Sequence, residues 1–401
     1  MPLVMGASAP VFEARTHDRP DYGFGCLGGV FVLLAFLPDP GQERDAADRA
    51  IIAHLALFGG HSHLVFGVVR DEADFRATAP QSPQVRYFHD PERAIARLYG
   101  LVGPQGNFTP QWVALDPMMR VLFSYGIDRT DEAFEVLARF RNPEAHAGTR
   151  LHAPVLIVPR VFEPDLCRKL IDAYRKDGGE PSGTMRDIGV RTVGVLDDFK
   201  RRRDAVVSDE TLKSAVRQRI AVRLAPQIAK SFMFQITHME RYIVARYDSA
   251  DGGYFRPHRD NTTLATAHRQ FACSINLNAE EFDGGDLRFP EFGRGTYRPP
   301  TGGAVIFSCA LLHEALPVTA GERFAFLPFF YDEAAARIRQ ENAAFLTTEP
   351  GEPARSVHPK AMGVVLTSEE EREVSVPAPR EEAKALQRAL PDDTLSVIKA
   401  A

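Results

Sequence analysis

His258 and Asp260, set in the segment YFRPHRDN (Tyr254–Asn261), are the pair in this chain best suited to chemistry. In extended backbone, positions i and i+2 point to the same side. An imidazole and a carboxylate therefore project into one space. Far along the chain His313 supplies a second imidazole, and Arg323 follows it after Thr319-Ala320-Gly321-Glu322. The glycine and the short spacing predict a tight turn there, with Arg323 on the strand next to that of His313. Two imidazoles and one carboxylate on one face of a metal are the donor set of a non-haem Fe(II) site with coordination positions left open. The carboxylate offsets half the charge of Fe(II). A 2-oxo acid can take two open positions and O2 the third. The far carboxylate of 2-oxoglutarate then needs a counter-charge, which an arginine supplies as a planar, bidentate pair. Singly, each residue also fits an ordinary role: a solvated HxD, a packed histidine, a surface arginine. Their combination in one region points to iron.

The elements around them divide the chain. Its 401 residues suggest two domains and a tail. An apolar fraction of 44% and a charged fraction of 25% are those of soluble globular protein. A net charge of -5 gives no global basic field, so neither nucleic acid nor an anionic membrane is an expected partner. No basic, then apolar, leader is visible at the start. The longest apolar run, Val30–Leu37, is far short of the ~20 residues that span a bilayer and reads as a buried strand. Cys26, Cys167, Cys273 and Cys309 form no CxxC pair, which argues against a disulfide framework or zinc site and for a reducing cytoplasm.

Residues 1–148 alternate strand and helix patterns: strands at Val30–Leu37, His63–Val69, Trp112–Leu115 and Arg120–Tyr125, helices at Asp45–Phe58, Pro91–Gly100 and Asp131–Phe140. That alternation predicts an α/β domain. A boundary falls near Asn142–Gly148. Residues 150–225 read as mostly helical, through Glu163–Arg175 and Asp209–Leu224. Short β segments follow at Met239–Tyr247, Arg269–Leu277, Asp286–Arg288, Gly303–Phe307, His313–Val318 and Arg323–Phe330, a pattern of sandwiches and barrels. Residues 333–401 form an extension, with helices expected at Glu333–Phe345 and Arg380–Leu390.

Residues 150–332 resemble the prolyl-4-hydroxylase-like branch of the Fe(II)/2-oxoglutarate oxygenases. The stretches that carry the resemblance are Arg246–Asn261, Arg269–Asn278, Phe282–Phe292 and Pro300–Arg323. It implies an α+β domain built on a double-stranded β-helix, or jelly roll, behind supporting helices. It assigns His258, Asp260 and His313 to iron and Arg323 to the C5 carboxylate of 2-oxoglutarate. It sets the Tyr247 hydroxyl against the cosubstrate. Asn276 occupies a strand where some members carry a second tyrosine, and is a candidate hydrogen-bond partner of the cosubstrate. The implied requirements are Fe(II), 2-oxoglutarate and O2, with ascorbate as a candidate reductant. The implied reaction is hydroxylation of a substrate with release of succinate and CO2. A peptidyl proline or other protein side chain is the first expectation, a small molecule the second. Asp260 fills the position that halogenases of this superfamily leave small. Phe329 stands where the nucleic-acid dealkylating branch has a second arginine. The basic run Lys200–Arg203 is expected to be a solvated loop or a mobile lid, and His268–Arg269 to lie in a loop facing the entrance.

Residues 1–148 resemble the thioredoxin-like fold of peroxiredoxins, through Ala9-Pro10-Val11-Phe12, the strand VFVLLAFLPDP, HDPERAIARLYGL and FTPQWVALD. The reactive cysteine of that family would fall within Pro38–Ala50, which contains none. Cys26 precedes the strand and is expected to pack. A domain without a thiolate nucleophile is no peroxidase; scaffolding, dimerisation or substrate docking is expected of it. Two other readings of the whole chain are a thiol redox protein and a binding protein built on two retired enzyme folds. A homodimer is the default assembly.

Overall fold

The computed structural model describes residues 3–78, 85–188 and 191–343, with short strands at 347–348 and 362–363. The expected helix at Arg380–Leu390 lies outside the described residues. The chain divides into two compact units, Met1–Ala153 with Phe289–Gly295, and Pro154–Arg288 with Thr296–Ala401. No helix among the described residues is long and apolar enough to cross a membrane.

The first unit is organised by the strand β1 (Phe31–Phe36), buried along its whole length. Strand side chains alternate between faces. Phe31, Leu33 and Ala35 enter one core, with Ile51, Trp112 and Phe134. Val32, Leu34 and Phe36 enter another, with Phe24, Phe88 and Tyr99. A strand covered on both sides must be apolar at every position, which is why it reads as an unbroken run. The helix α1 (Gln42–Ala53) leads to β2 (His63–Val69); β3 (Val85–His89), α2 (Ala94–Leu98), the hairpin β4 (Gln111–Leu115) and β5 (Val121–Gly126), and α3 (Thr130–Arg139) complete the unit. The sheet order is β3-β2-β1-β4-β5, with the first three strands parallel and the hairpin antiparallel to them.

Three departures from expectation have local causes. The helix predicted from Pro91 starts at Ala94, because Arg93 takes a left-handed φ of 53° and the Asp90 carboxylate accepts from the backbone N–H of Ile95 (3.2 Å) and Ala96 (3.0 Å). Strand β3 was not predicted: it is short, carries Arg86 and His89, and lies at the sheet edge beside β2. Cys26 is exposed rather than packed, since Phe24 takes the buried side of their shared 3-10 turn.

The second unit is β-rich, and its strands pair antiparallel throughout. Its elements are β6 (Leu156–Val158), α4 (Pro164–Asp177), β7 (Thr184–Ile188), β8 (Arg191–Val195), β9 (Lys200–Arg201), β10 (Arg203–Val206), α5 (Glu210–Arg219), α6 (Ala225–Phe232), β11 (His238–Glu240), β12 (Ile243–Asp248), β13 (Tyr254–His258), β14 (Phe271–Asn276), β15 (Phe282–Gly284), β16 (Leu287–Arg288), β17 (Thr296–Tyr297), β18 (Ala304–Ser308), β19 (His313–Ala315), β20 (Val318–Phe326), β21 (Phe329–Tyr331) and α7 (Glu333–Ala343). The larger sheet follows the order β11-β21-β14-β20-β12-β10 and ends on the two-residue strand Glu180–Pro181, with β18 also paired to β14. The smaller runs β9-β13-β19-β16-β17. On one face of the larger sheet Val244, Cys273, Ile275, Phe324 and Phe326 pack against Leu166, Leu170, Val216, Leu224 and Ile228 from the helices. Tyr247, Ser274, Asn276 and Arg323 alternate with these and take the opposite face.

The expectation of a mostly helical stretch over 150–225 is corrected: besides β6, the strands β7, β8, β9 and β10 lie within it. These strands are short and polar, and their partners lie far along the chain or in a local hairpin, so periodicity does not reveal them. The helix expected to stop at Leu224 continues to Phe232. A π-helical turn at Ile220–Leu224 lets Pro226 sit in the first turn of α6 instead of breaking the helix. The expected strand Met239–Tyr247 is split by Arg241, left-handed at φ 67°. The expected turn at Thr319–Glu322 is also corrected. β20 runs unbroken through it, and the chain turns at Leu316-Pro317.

Asp90→Ala should cost about 1–2 kcal/mol, the usual size of a lost helix cap. A fall in the urea unfolding midpoint reads this out; an unchanged midpoint would remove Asp90 from the account of α2.

Candidate metal centre and cosubstrate pocket

His258 closes β13 and His313 opens β19, and the two face each other as a direct cross-strand pair. A register shift between Phe255 and His258 bulges the strand there. Asp260 lies just past the end of β13, its backbone N–H donating to the Cys309 carbonyl (2.9 Å). His258 Nε2 stands 3.6 Å from Asp260 Oδ1, and His313 Nε2 stands 3.3 Å from Asp260 Oδ2. One donor atom from each residue lies within 4.8 Å of the others, which is the spacing of a metal site.

The other ring nitrogens set the tautomers. His258 Nδ1 is 2.7 Å from the Arg256 carbonyl and His313 Nδ1 is 3.0 Å from that of Leu311. A carbonyl only accepts, so each Nδ1 carries the proton and each Nε2 presents its lone pair. The Phe255 ring stacks on His258 at 3.4 Å, and Phe307 lies 4.5 Å from His313. Burial and the neighbouring His258 push His313 down to about 4. Burial by itself would raise Asp260, but His313 and His258 outweigh it and hold the carboxyl below its usual range. At neutral pH His313 is therefore neutral and Asp260 ionised, the protonation state a cation requires of them.

Arg323 belongs to the other sheet. It is not on the strand beside that of His313, as the predicted hairpin had it, but on β20, opposite Tyr247 of β12. Its side chain is buried, and burial lowers its pKa. Nη2 donates to Ser274 Oγ (3.0 Å), while Nε and Nη1 have no partner among the described residues. Buried guanidinium donors without acceptors are costly; a carboxylate is the group that matches two of them at once. Gly285, at φ 69°, leaves room for this side chain: a Cβ there would meet Val318 Cγ2 at 2.9 Å and Arg323 Cδ at 3.2 Å. Asn276 is buried, its Nδ2 donating to the Pro299 carbonyl (2.8 Å) and its Oδ1 without a partner among the described residues.

Two basic segments differ from expectation. Lys200 and Arg202 are buried, not on a solvated loop. Lys200 Nζ donates to Ser182 Oγ (2.6 Å) and the Gly183 carbonyl (2.9 Å). Arg202 donates to Asp204 Oδ2 (2.6 Å) and to the Tyr247 hydroxyl (3.3 Å). All four residues of KRRR are basic, so the sequence carries no signal of the alternation that buries Lys200 and Arg202 and exposes Arg201. His268 and Arg269 do not face an entrance. Both are buried on Glu240, with His268 Nε2 at 2.9 Å and Arg269 Nε at 2.5 Å. The guanidinium carbons of Arg269 and Arg241 lie 4.1 Å and 5.6 Å from the centre of the Phe329 ring.

Residues 242–331 match the model of the 2OG-Fe(II) oxygenase superfamily. A PKHD-type hydroxylase of Stenotrophomonas maltophilia is 26% identical over 157 residues, covering 37% of this chain and 68% of that protein. The structure of a viral collagen prolyl hydroxylase from Paramecium Bursaria Chlorella virus-1 aligns at 17% identity and a TM-score of 0.33, over 46% of this chain and 97% of the other. A Pseudomonas putida prolyl-4-hydroxylase aligns at 19% and 0.34, over 45% and 94%. The matched segment is a 2OG-Fe(II) oxygenase domain, and the chain is an Fe(II)/2-oxoglutarate-dependent dioxygenase.

Glu240→Gln should lower stability by about 3 kcal/mol at neutral pH, because it leaves Arg269 and His268 buried without their anion. Burial raises the Glu240 pKa, but Arg269 and His268 outweigh it and leave the carboxyl below its ordinary value of 4.5. A group lowered in the folded state stabilises above its unfolded value and loses that contribution as pH falls. The gap between wild type and variant should therefore narrow below 4.5. Urea midpoints across that range test it; a gap that stays constant would show that the charge of Glu240 is not what stabilises the pair.

Proposed function

We propose that His258, Asp260 and His313 hold Fe(II), that Arg323 anchors the C5 carboxylate of 2-oxoglutarate, and that the enzyme hydroxylates a protein or peptide side chain, a prolyl ring foremost. The observation that carries this is the pairing of two sites. One is a trio of metal donors, His313 buried and His258 and Asp260 half-buried, with both Nε2 lone pairs directed at the shared site. The other is a buried arginine with two donors lacking any acceptor among the described residues. When bound, the iron couples decarboxylation of 2-oxoglutarate to oxidation of a C–H bond: substrate, 2-oxoglutarate and O2 become hydroxylated substrate, succinate and CO2.

This chain's residues have distinct parts in that reaction. Asp260 stays ionised and His313 stays neutral, and the Arg256 and Leu311 carbonyls hold the Nδ1 protons so that both Nε2 lone pairs face the metal. Phe255 and Phe307 cover the imidazole faces. Ser274 and Tyr247 present hydroxyls beside Arg323, and a hydroxyl can donate to a carboxylate. Asn276 offers an unpartnered carbonyl oxygen, which cannot, and one N–H of its amide serves Pro299. Tyr247 and Ser274 are therefore the better partners of the distal carboxylate, and Asn276 shapes the wall. The preference for a prolyl substrate follows the hydroxylases to which the chain is similar.

The first unit we read as a thioredoxin-like domain of peroxiredoxin type, silent in thiol chemistry. Three parallel strands followed by an antiparallel hairpin support the fold, and the lack of a cysteine in Pro38–Ala50 supports the silence. Ascorbate as reductant, a cytoplasmic setting and a homodimer complete the proposal.

Anaerobic titration of the apo-protein with Fe(II) and then 2-oxoglutarate should produce a visible metal-to-ligand charge-transfer band. His258→Ala should abolish it. Arg323→Ala should shift its midpoint to higher 2-oxoglutarate by roughly tenfold or more, the loss of a charge-assisted pair. Folded, iron-loaded wild type that shows no band would sink the assignment.

A further inference from the structure

Arg202 is a buried cation for which the metal centre and Arg323 do not account. Its Nη2 donates to Asp204 Oδ2 (2.6 Å) and Ser182 Oγ (3.3 Å), and its Nη1 donates to the phenolic oxygen of Tyr247 (3.3 Å). Burial works against its charge, and Asp204 more than offsets that, so Arg202 remains a cation. A guanidinium can only donate, so in this contact Tyr247 is the acceptor. The phenol keeps one proton of its own, and no acceptor for it exists among the described residues. The guanidinium carbons of Arg323 and Arg202 lie 5.1 Å and 5.8 Å from the centre of the Tyr247 ring. Arg202 approaches the hydroxyl from the β9–β10 side, while Arg323 faces Tyr247 across the β12–β20 pair.

We propose that Arg202 is a positioning residue for 2-oxoglutarate: by occupying the acceptor side of the Tyr247 hydroxyl, it commits that group to donate its proton to the distal carboxylate bound at Arg323. The inference rests on the reading of Arg323 as the cosubstrate anchor. Without Arg202 the hydroxyl is a free rotor that must give up orientations on binding; with it, the proton is already directed away from the guanidinium. The Asp204 carboxylate is the fixed point, since it holds Arg202 with the shortest of its contacts and also takes the Ser182 hydroxyl (2.6 Å).

The test compares 2-oxoglutarate with pyruvate, a 2-oxo acid lacking the distal carboxylate. Affinities of both are read anaerobically from the charge-transfer band of the Fe(II)-loaded full chain, in wild type, Tyr247→Phe, Arg202→Gln and the double variant. Each single change should weaken 2-oxoglutarate by about five- to tenfold, the size of one lost hydrogen bond, and leave pyruvate unchanged. The double variant should be no weaker than the worse single, because the two residues act as one unit. Arg202→Lys should recover part of the loss. Equal losses for both acids, or single losses that multiply in the double variant, would overturn the proposal and leave Arg202 a structural residue. Tyr247→Phe does not touch the Arg202–Asp204 pair, so it keeps the test decisive if Arg202→Gln does not fold: unchanged 2-oxoglutarate affinity in it also overturns the proposal. A wild type that binds neither acid would instead refute the Arg323 anchor itself. In failure of the Arg202 role alone, wild type binds 2-oxoglutarate and the variants match it.

Discussion

Strand alternation in the larger sheet is the constraint on which the pocket depends. Phe324 and Phe326 must face the helices, since they complete the apolar core with Leu170, Val216 and Ile228. With that settled, Arg323 has only the other side to occupy, and a one-residue slip would exchange a charge for a phenylalanine in both places. The same reasoning applies to β14, where Cys273 and Ile275 enter the core and Ser274 and Asn276 do not. Hydrophobic burial on the helix side, at about 25 cal/mol per Å² of apolar surface, thus holds a guanidinium where its own desolvation would not put it.

Much of the centre was legible because its chemistry is local in type. HxD in an extended segment, a remote histidine and a later arginine can be read without knowing how strands pair. What could not be read was their partnership. Arg323 was expected on the strand beside His313, whereas the structure assigns the two to different sheets. The Gly321 signal was real, with φ at 73°, but the residue distorts a continuing strand instead of ending it. The basic run Lys200–Arg203 misled for a different reason. Charge density suggests solvent, and only the fold reveals that Asp204, Ser182 and Tyr247 are there to receive it.

A second buried electrostatic cluster, Glu240 with His268 and Arg269, has the same origin. Arg241 in a left-handed conformation breaks the strand between β11 and β12 and marks the point where the chain changes partners, from β21 to β20. Glu240, last residue of β11, pairs across to Phe329 and meets His268 and Arg269, which precede β14. Non-glycine residues in that region of φ are uncommon and carry a conformational cost. Here the break lets two strands close in sequence serve different neighbours in one sheet.

His313 and Arg323 lie on a single stretch of chain, β19 and β20, redirected only at Leu316-Pro317. The proposed iron site and the proposed carboxylate anchor are therefore two marks on one ruler. Its graduations are the ~3.3 Å rise per residue of a strand. An inserted or deleted residue between the marks would change the calibration of the whole pocket at once, so the length of diacid the enzyme accepts is written into the spacing of its backbone as well as into its side chains.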